Sequence, residues 1–189
     1  MTPHAAFDRS NRRSAEFRKF LLRAFLVLGG TIFIAVSARL SVPMWPVPMT
    51  MQSFAILIVG LAYGSRLGAV TLLVYLMEGL VGLPVFAGGS GLAYAVGPTG
   101  GYLIGFVIAA FIVGLATEGD ASRSLVRAVG AALLGAIIIH VFGFVWLATL
   151  IGFEKAWIGG VVPFALGDVF KAALAALTIS MPRRLIKKS

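Results

Sequence analysis

The chain is dominated by apolar runs of nearly the length that a lipid bilayer requires. A membrane-spanning helix takes about 20 largely apolar residues, or about 17 at the short end. Of the 189 residues, 59% are hydrophobic and only 12% are charged, whereas an average soluble domain is roughly 25% charged. The mean hydropathy is +0.98. Apolar sequence gathered into a few long runs predicts a polytopic membrane protein.

Six candidate spans can be placed along the chain, separated by turn residues such as Gly64-Ser65, Pro84 and Gly152. We expect an all-α bundle of six transmembrane helices that forms a single membrane domain over 1–189. Because the first nineteen residues are polar and the first apolar run is long, no cleavable signal peptide is expected. The spans are 20–40, 50–63, 67–83, 99–117, 125–151 and 157–181, and basic segments at 1–19 and 182–189 flank the bundle of 20–181.

The net charge of +9 is a signal of topology. In a soluble protein it would suggest nucleic acid, but here most cations fall on one side of the bundle, so no nucleic-acid partner is expected. Arg39 and Lys155 fall on the other side, and Lys171 lies within the sixth span. The positive-inside rule predicts cytoplasmic N- and C-termini in the cell (inner) membrane, with some terminal cations contacting anionic lipid. The cytoplasmic cations are Arg9, Arg12, Arg13, Arg18, Lys19, Arg23, Arg66, Arg123, Arg127, Arg183, Arg184, Lys187 and Lys188.

Asp168 and Lys171 are the leading functional candidates, because a charge at the bilayer centre costs about 2.5–3.5 kcal/mol on insertion scales. Their i, i+3 spacing places them on one helix face, where they partly neutralise each other. Pro163 precedes them, so helical order is expected to break or to begin near Gly159-Gly160. A charge pair beside irregular backbone suits a polar ligand inside a membrane. A purely structural ion pair is the alternative.

The stretch 79–102 holds eight glycines and two prolines, with no charge of its own. Since it keeps apolar residues, it is predicted to fold back on the bundle as a re-entrant or capping loop that protein shields from lipid. Glycine lets backbone approach a ligand closely. Close helix packing is the favoured explanation of Gly101 and Gly105, but it does not explain 88–91.

The connection 41–52 contains three prolines and is predicted to be extended. Trp45 within it suits an interfacial anchor. Thr50 and Gln52, at the mouth of the second span, either line a cavity, cap the helix or hydrogen-bond to a neighbouring one. The sequence is compatible with all three roles of Thr50 and Gln52.

Four segments together resemble the BioY family, the biotin-binding S components of energy-coupling-factor (ECF) transporters. They are VPMTMQ at 47–52, GLPVFAGGSG at 82–91, GPTGGY at 97–102 and PFALGDVFK at 163–171. The resemblance runs from about Ala35 to Lys171. The glycine-rich blocks and the Gly-Asp-x-x-Lys element are specific in combination, whereas any one of them alone is weak.

The resemblance implies a biotin pocket. Asp168 is implied to accept a ureido N–H of biotin and Lys171 to donate to an oxygen. A mostly apolar pocket with a few placed polar groups matches such a ligand. The glycine-rich loop is expected to close part of the pocket, with Ser90 as its polar contact. The full set of implied substrate-binding residues is Asp168, Lys171, Ser90, Gly89, Phe86, Tyr94, Trp45, Phe164 and Gln52.

The resemblance also implies capture and transport rather than catalysis, with biotin as cargo and no cofactor. Related systems work with a transmembrane coupling protein and two ABC-type ATPases. This chain has no Gly-Lys dipeptide and hence no Walker A loop, and it has no cysteine for thiolate catalysis or thiolate metal sites. No metal site is expected. The partner is expected to dock on small residues of the first helix, Thr31 and Ala35, although generic helix packing explains that spacing as well.

Two other functions remain open from the residues alone. A rhomboid-like intramembrane serine protease would use Ser90 as nucleophile and His140 as base, but it leaves Asp168 and Lys171 unexplained. A proton-coupled carrier would relay protons through Glu78, His140 or Asp168. In the favoured interpretation His140 is a buried residue hydrogen-bonded across helices, and Glu78 is either paired internally or exposed at the outer mouth.

Overall fold

The computed structural model describes residues 3–118 and 124–186, with the side chains of 14–118 and 124–180. The cytoplasmic cations Arg123, Lys187 and Lys188 lie outside the described residues. Seven helices and two short strands lie within them. In chain order these are α1 (Pro3–Arg39), β1 (Ser41–Val42), β2 (Met49–Thr50), α2 (Gln52–Leu80), α3 (Gly91–Ala95), α4 (Gly100–Ala116), α5 (Leu125–Ile151), α6 (Phe153–Gly160) and α7 (Ala165–Ile186).

The helices follow the predicted spans most closely in the middle of the chain. The fifth predicted span has the same bounds as α5, and the fourth differs from α4 by one residue at each end. Helix α1 begins well before the predicted start at 20, because the polar segment that precedes the apolar run is rich in helix-forming Ala and Arg. The structure adds one antiparallel strand pair to the predicted all-α fold, with Ser41 opposite Thr50.

Helix α2 is a hairpin that turns at Gly64. This glycine has φ 76° and ψ 179°, a conformation that only glycine adopts easily. A Cβ built on Gly68 would lie 3.6 Å from the Cα of Gly60, whereas eight residues of straight helix would separate them by about 12 Å. The arms 52–63 and 65–80 therefore run antiparallel. The predicted break at Gly64-Ser65 is confirmed.

Helices α6 and α7 replace the single predicted span at 157–181. They are bent by 47° across a short turn. Helix α6 ends at Gly160, as the break predicted near Gly159-Gly160 requires, and Pro163 lies in the turn, where its missing N–H costs no helical hydrogen bond. The bend places the first turn of α7, with Asp168, inside the bundle.

Small residues allow the helices to approach closely. Helix α2 packs most extensively against α4, α4 against α5, and α7 against α5 and α2. A Cβ on Gly101 would lie 2.3 Å from the carbonyl oxygen of Phe142, and one on Gly105 would lie 3.0 Å from the Cα of Ile139. The packing role predicted for these two glycines is confirmed.

The surface of the bundle is apolar enough to face lipid. Three helices have the length and hydropathy of membrane spans, and the bent pair of α6 and α7 gives a fourth. Helix α1 exposes Phe20, Phe25 and Ile32 by 64–72%, which a soluble monomer would avoid. The chain is a multi-pass membrane protein. The helices that meet these criteria are Ser14–Arg39, Gln52–Leu80 and Leu125–Ile151.

Candidate functional site

The first turn of α7 brings the two predicted charges together inside the bundle. Asp168 is 6% exposed and Lys171 is 9% exposed, and Lys171 Nζ lies 3.3 Å from Asp168 Oδ1. Their i, i+3 spacing on a helix gives this contact. Asp168 also lies in the turn where the helix dipole favours a negative charge. The predicted ion pair is present and buried.

Three oxygens surround the ammonium of Lys171. It donates to the carbonyl of Thr50 at 2.9 Å, to Ser53 Oγ at 3.2 Å and to Asp168 Oδ1 at 3.3 Å. An ammonium has three N–H donors, so all three have acceptors. Thr50 ends β2 and Ser53 lies in the first turn of α2. The extended connection 41–52 and the start of α2 thus compensate a charge carried by α7.

His140 of α5 lies on the other side of Asp168. Its Nδ1 is 3.2 Å from Asp168 Oδ2 and 3.1 Å from the carbonyl oxygen of Ala136, one turn earlier in α5. The imidazole is held edge-on to Tyr102, with ring centroids 5.9 Å apart, and tilted against Phe164 at 5.4 Å. Two aromatic rings and a carboxylate, from α4, the turn before α7 and α7 itself, fix its orientation.

Two buried polar atoms of this cluster have no hydrogen-bond partner among the described residues. They are Asp168 Oδ2 and His140 Nε2. Although Oδ2 lies close to His140 Nδ1, no hydrogen bond joins the two atoms. Leaving a buried polar group unpaired costs about 1–3 kcal/mol. Such atoms are rare in native proteins, and each needs an explanation, such as a bound molecule that supplies the missing partner.

These atoms belong to residues that line a narrow cleft with a cavity volume of about 50 Å³. Small-molecule sites usually have apolar walls with a few placed polar groups. The cleft fits this description, since Asp168, Lys171 and His140 stand among apolar and aromatic side chains. The other lining residues are Val47, Pro48, Thr50, Gln52, Ser53, Ala87, Tyr94, Thr99, Tyr102, Leu103, Phe106, Ile139 and Phe164.

The glycine-rich loop covers one side of the cleft by inserting Phe86 into the core. Phe86 is fully buried, with its ring edge-on to Tyr75 at 5.6 Å and stacked on Tyr94 at 5.2 Å. A Cβ on Gly79 would come within 2.0 Å of the Phe86 ring, so only glycine leaves room for it. The backbone N–H of Gly88 donates to the Tyr94 hydroxyl at 3.3 Å. The loop is a folded cap that presents Tyr94 and Ala87 to the cleft.

The structure brings only some of the predicted substrate-binding residues to the cleft. Gln52, Tyr94 and Phe164 line it together with the ion pair. Gln52 also donates to the Tyr75 hydroxyl at 2.7 Å, which joins the two arms of α2. Four others are placed elsewhere: Phe86 packs behind Tyr94, Gly89 pairs with Phe86 in a β-bridge, Ser90 precedes α3, and Trp45 is 74% exposed.

Three polar contributors to the cluster are not among the predicted substrate-binding residues. Ser53 had no signal, because a serine in the first turn of a helix is ordinary. Thr50 lines the cleft, which was one of its predicted alternatives, but it contributes its backbone carbonyl, which no residue type reveals. His140 had a signal, an ionisable residue in a span, but it was interpreted as a buried structural residue.

The residues expected to dock a partner lie against the bundle interior or beside it. Thr31 is 2% exposed, and its hydroxyl contacts Glu78 Oε1 at 3.1 Å. Ala35 is half-buried. Glu78 is therefore paired internally, which was one of its two predicted alternatives. The docking role of Thr31 and Ala35 stays a prediction.

A second carboxylate, Glu118, lies at the opposite end of the bundle, beside the turn of α2. It is exposed, and its Oε1 accepts from Ser65 N at 2.9 Å and from Ser65 Oγ. These hydrogen bonds, with a smaller contribution from Arg66, hold the pKa of Glu118 below its usual range. Arg23 and Arg66 line the same open groove as Glu118. Two arginines therefore lie beside Glu118 at this end of the bundle.

An apolar groove lies behind the cluster, between α5, α6 and α7. His140 and Asp168 also line this groove, so they form the wall between it and the cleft. Its remaining lining is apolar: Leu133, Ala136, Ile137, Val141, Phe144, Trp157, Val161, Ala165 and Val169. The polar cluster is therefore enclosed by apolar side chains on both sides.

A multi-pass helical bundle and an apolar cleft with two unpaired buried atoms, Asp168 Oδ2 and His140 Nε2, are typical of a class: membrane proteins that bind a small molecule. Comparison with known proteins then gives the family. The profile of the BioY family matches residues 10–188. The chain belongs to the BioY family.

Individual relatives agree over most of their length. The probable biotin transporter BioY of Pyrococcus horikoshii is 45% identical over 150 residues, covering 77% of this chain and 88% of that protein. The biotin transporter BioY of Thermotoga maritima is 41% identical over 149 residues, covering 78% and 87%. A crystal structure of the S-component for biotin from an ECF-type ABC transporter matches with a TM-score of 0.72 and 28% identity, over 90% of this chain and 93% of that one.

These relatives are transporters, and none of them supports the protease alternative. The geometry agrees, because His140 Nδ1 lies beside the carbonyl of Ala136 and the carboxylate of Asp168 rather than beside a serine hydroxyl. Ser90 is not among the residues that line the cleft in the described part of the chain. The protein is a substrate-binding transport component and not an enzyme.

Proposed function

We propose that the protein binds biotin in the cleft between α2, α4, α5 and α7, as the substrate-specific component of a vitamin transporter. One observation carries the proposal: Asp168 Oδ2 is buried beside an apolar cleft and has no hydrogen-bond partner among the described residues. Biotin has an apolar bicyclic body and an aliphatic chain, with a ureido group that carries two N–H donors. An orphaned carboxylate oxygen in an apolar cleft complements such a donor.

Asp168 and Lys171 then have different tasks. Asp168 accepts a ureido N–H through Oδ2. Lys171 neutralises the carboxylate and orients it through Oδ1, at 3.3 Å. Since its three N–H donors already have acceptors, the donation to a ligand oxygen implied by the family resemblance requires one of those bonds to be exchanged. Breaking a buried pair is costly, which favours the orienting role.

The aromatic residues supply the apolar wall. Phe164 and Tyr94 line the cleft directly, and Phe86 acts through Tyr94, on which it is stacked. Gly89, Ser90 and Trp45 are proposed to act through the shape of the loops around the cleft. Gln52 joins the wall through its bond to Tyr75.

The topology we propose has six crossings and both termini in the cytoplasm of the inner membrane, in a single membrane domain over 1–189. The crossings are α1, the two arms of α2, α4, α5, and the bent pair of α6 and α7. The arms of α2 are about 18 and 24 Å long, shorter than the ~30 Å hydrocarbon core, so flanking residues complete them. The basic end with Arg23 and Arg66 faces the cytoplasm, and the cleft opens outside.

The partners we propose follow from the family resemblance. A transmembrane coupling protein and two ABC-type ATPases drive release of biotin inside, since this chain has no Walker A loop. Thr31 and Ala35 of α1 remain our candidates for the docking face. Biotin is the cargo rather than a cofactor.

The proposal is tested by calorimetric titration of the purified protein with biotin. A charge-assisted hydrogen bond is worth about 1.5–3 kcal/mol, so Asp168→Asn should weaken binding by about 10- to 150-fold. Glu118→Gln is the matched control, because it also removes one carboxylate but at the other end of the bundle, and its affinity should equal that of the wild type. Absence of heat with the wild-type protein would refute biotin binding. Equal affinity of Asp168→Asn would refute the site.

Orientation has its own test, for which the absence of cysteine in the chain removes any background. Leu92 lies on the exposed side of the loop cap, and Arg127 lies near the start of α5. Each is replaced by cysteine in a separate variant. A membrane-impermeant maleimide should label Leu92→Cys in intact cells and Arg127→Cys only after permeabilisation. The reverse pattern would invert the proposed topology.

A further inference from the structure

We infer that the open groove between α1 and the second arm of α2 binds an anionic phospholipid, with its phosphate between Arg23 and Arg66 and an acyl chain along the groove. This site lies apart from the biotin cleft and goes beyond the proposed function. It rests on the proposed topology only for the leaflet that supplies the lipid. The shape of the groove, its apolar walls and two cations at one of its ends support the inference.

The groove forms because α1 packs tightly on α2 at one level and loses that contact toward its own N-terminus. A Cβ on Gly30 would lie 2.6 Å from Cγ2 of Thr71 and 3.1 Å from the ring of Tyr63, so the helices touch there. Val27 is still buried one turn earlier, but every residue from 14 to 23 is exposed. The space between the helices has a cavity volume of about 910 Å³, against about 50 Å³ for the cleft.

The walls of the groove suit an acyl chain. Phe20, Leu28 and Val70 line it and are 46–66% exposed. The part of α2 that lines the groove runs from Ser65 to Val74, which is roughly 13 Å of helix. This length is close to the ~15 Å that one leaflet contributes to the hydrocarbon core. The groove therefore accommodates one chain of a lipid in a single leaflet.

Two cations from different helices lie at one end of the groove. Arg23 of α1 and Arg66 of α2 line it and are exposed, and neither forms an ion pair with another residue that the structure describes. They lie at the end of the bundle where α2 turns and α4 ends, which is where lipid headgroups are expected. A guanidinium group binds two phosphate oxygens at once.

Glu118 lines the same end, but it does not replace the phosphate. Its Oε1 already accepts from Ser65 N and Ser65 Oγ. Two arginines against one carboxylate leave one cation in excess, which matches the single negative charge of a phosphodiester. A zwitterionic headgroup brings its own cation and lacks this match. Basic pockets between transmembrane helices on the cytoplasmic side bind anionic headgroups in this way.

Native mass spectrometry of the detergent-purified protein with added phosphatidylglycerol or phosphatidylcholine tests the site. The wild-type protein should prefer phosphatidylglycerol. Arg23→Gln and Arg66→Gln should each weaken its binding about fivefold, and the double variant about 25-fold, with little change for phosphatidylcholine. Arg127→Gln is the matched control, because it removes an exposed cation of α5 that does not line the groove. It should leave the affinity for phosphatidylglycerol unchanged.

A steric variant tests the position of the acyl chain without changing the charge. Val70→Trp fills the groove and should lose bound phosphatidylglycerol. Leu73→Trp is its control, since Leu73 belongs to the same arm of α2 and is 51% exposed but does not line the groove. This control should keep the lipid. Melting temperatures in detergent show that each variant is folded.

Several results would overturn the lipid site: equal affinity of the wild type for both lipids, full binding by the double arginine variant, or an equal loss in Arg127→Gln. A dimer that Val70→Trp dissociates, without bound phosphatidylglycerol, would assign the groove to a second copy of the chain and also overturn it. The biotin titration is independent, because none of these variants touches the cleft. A wild-type protein that binds the lipid but not biotin would refute the proposed function alone.

Discussion

The two ends of the bundle each hold a carboxylate beside a serine and a cation, but the two carboxylates differ in burial and in their hydrogen-bond partners. Asp168 is buried, and its Oδ2 has no hydrogen-bond partner among the residues that the structure describes. Glu118 is exposed, and a backbone N–H and a hydroxyl of one residue, Ser65, both donate to it. Burial of Asp168 costs free energy and leaves one carboxylate oxygen without a donor. Exposed Glu118 has no such cost, and the oxygen that it uses has two donors.

The difference separates the site that we propose for the ligand from a structural contact. Glu118 joins the end of α4 to the turn of α2, and two donors from the chain saturate the oxygen that it uses. Asp168 is held just as firmly, by Lys171 and Ser53, yet one oxygen remains available beside the cleft. A charge kept inside a membrane with unused hydrogen-bonding capacity supports the proposal that this cleft binds a ligand.

The largest effect should come from removing the cation of the buried pair. Lys171→Met leaves Asp168 without compensation at 8% side-chain exposure, and breaking such a pair costs about 3–5 kcal/mol of folding stability. A lower melting temperature in detergent and loss of biotin binding are expected. An unchanged melting temperature of the variant would contradict the claim that Lys171 compensates a buried charge.

The double variant Asp168→Asn/Lys171→Met is the control for that prediction. Because it removes both charges, much of the lost stability should return, but biotin should still not bind. Binding by the double variant would show that the charges serve structure alone.

An intermediate effect is expected in the loop cap. Gly79→Ala would place a Cβ within 2.0 Å of the Phe86 ring, and overpacking of this kind costs about 1–3 kcal/mol. Displaced Phe86 should move Tyr94 and weaken biotin binding. Gly130→Ala is the matched control, since nothing lies within 4 Å of its Cβ in the exposed part of α5. It should keep the affinity and raise the melting temperature slightly.

The smallest effect should come from Glu118→Gln. The pKa of Glu118 is lowered by its bonds to Ser65, so the carboxylate stabilises the fold above its ordinary pKa of 4.5 and loses this contribution as the pH falls through its lower folded value. The melting temperature of the wild type should therefore fall more than that of Glu118→Gln as the pH drops below 4.5. Identical pH profiles would remove the contrast between the two carboxylates.

Much of the fold could be predicted because apolar periodicity and turn residues are local signals. The bounds of α5 and the breaks at Gly64 and Gly160 are read directly from the sequence. Pro163 predicts a bend between α6 and α7, but it does not predict the angle of the bend. The strand pair at Ser41 and Thr50 has no signal, because two residues are too few for any periodicity.

The site could be predicted only where residue type carried the information. Two rare charges at i, i+3 were sufficient for Asp168 and Lys171. The carbonyl of Thr50 and the hydroxyl of Ser53 contribute through tertiary position, which no local pattern contains. Phe86 and Ser90 were placed in the cleft because they belong to a conspicuous motif, yet the loop turns Phe86 into the core, where Gly79 leaves room for its ring.

The position of biotin in an experimental structure of its complex with this protein tests the central claim most directly. We predict the ureido group in the cleft, with one N–H within hydrogen-bonding distance of Asp168 Oδ2 and the bicyclic body against Phe164. Biotin in the apolar groove between α5 and α7, or at the basic end near Glu118, with Asp168 Oδ2 still unpaired, would contradict the account.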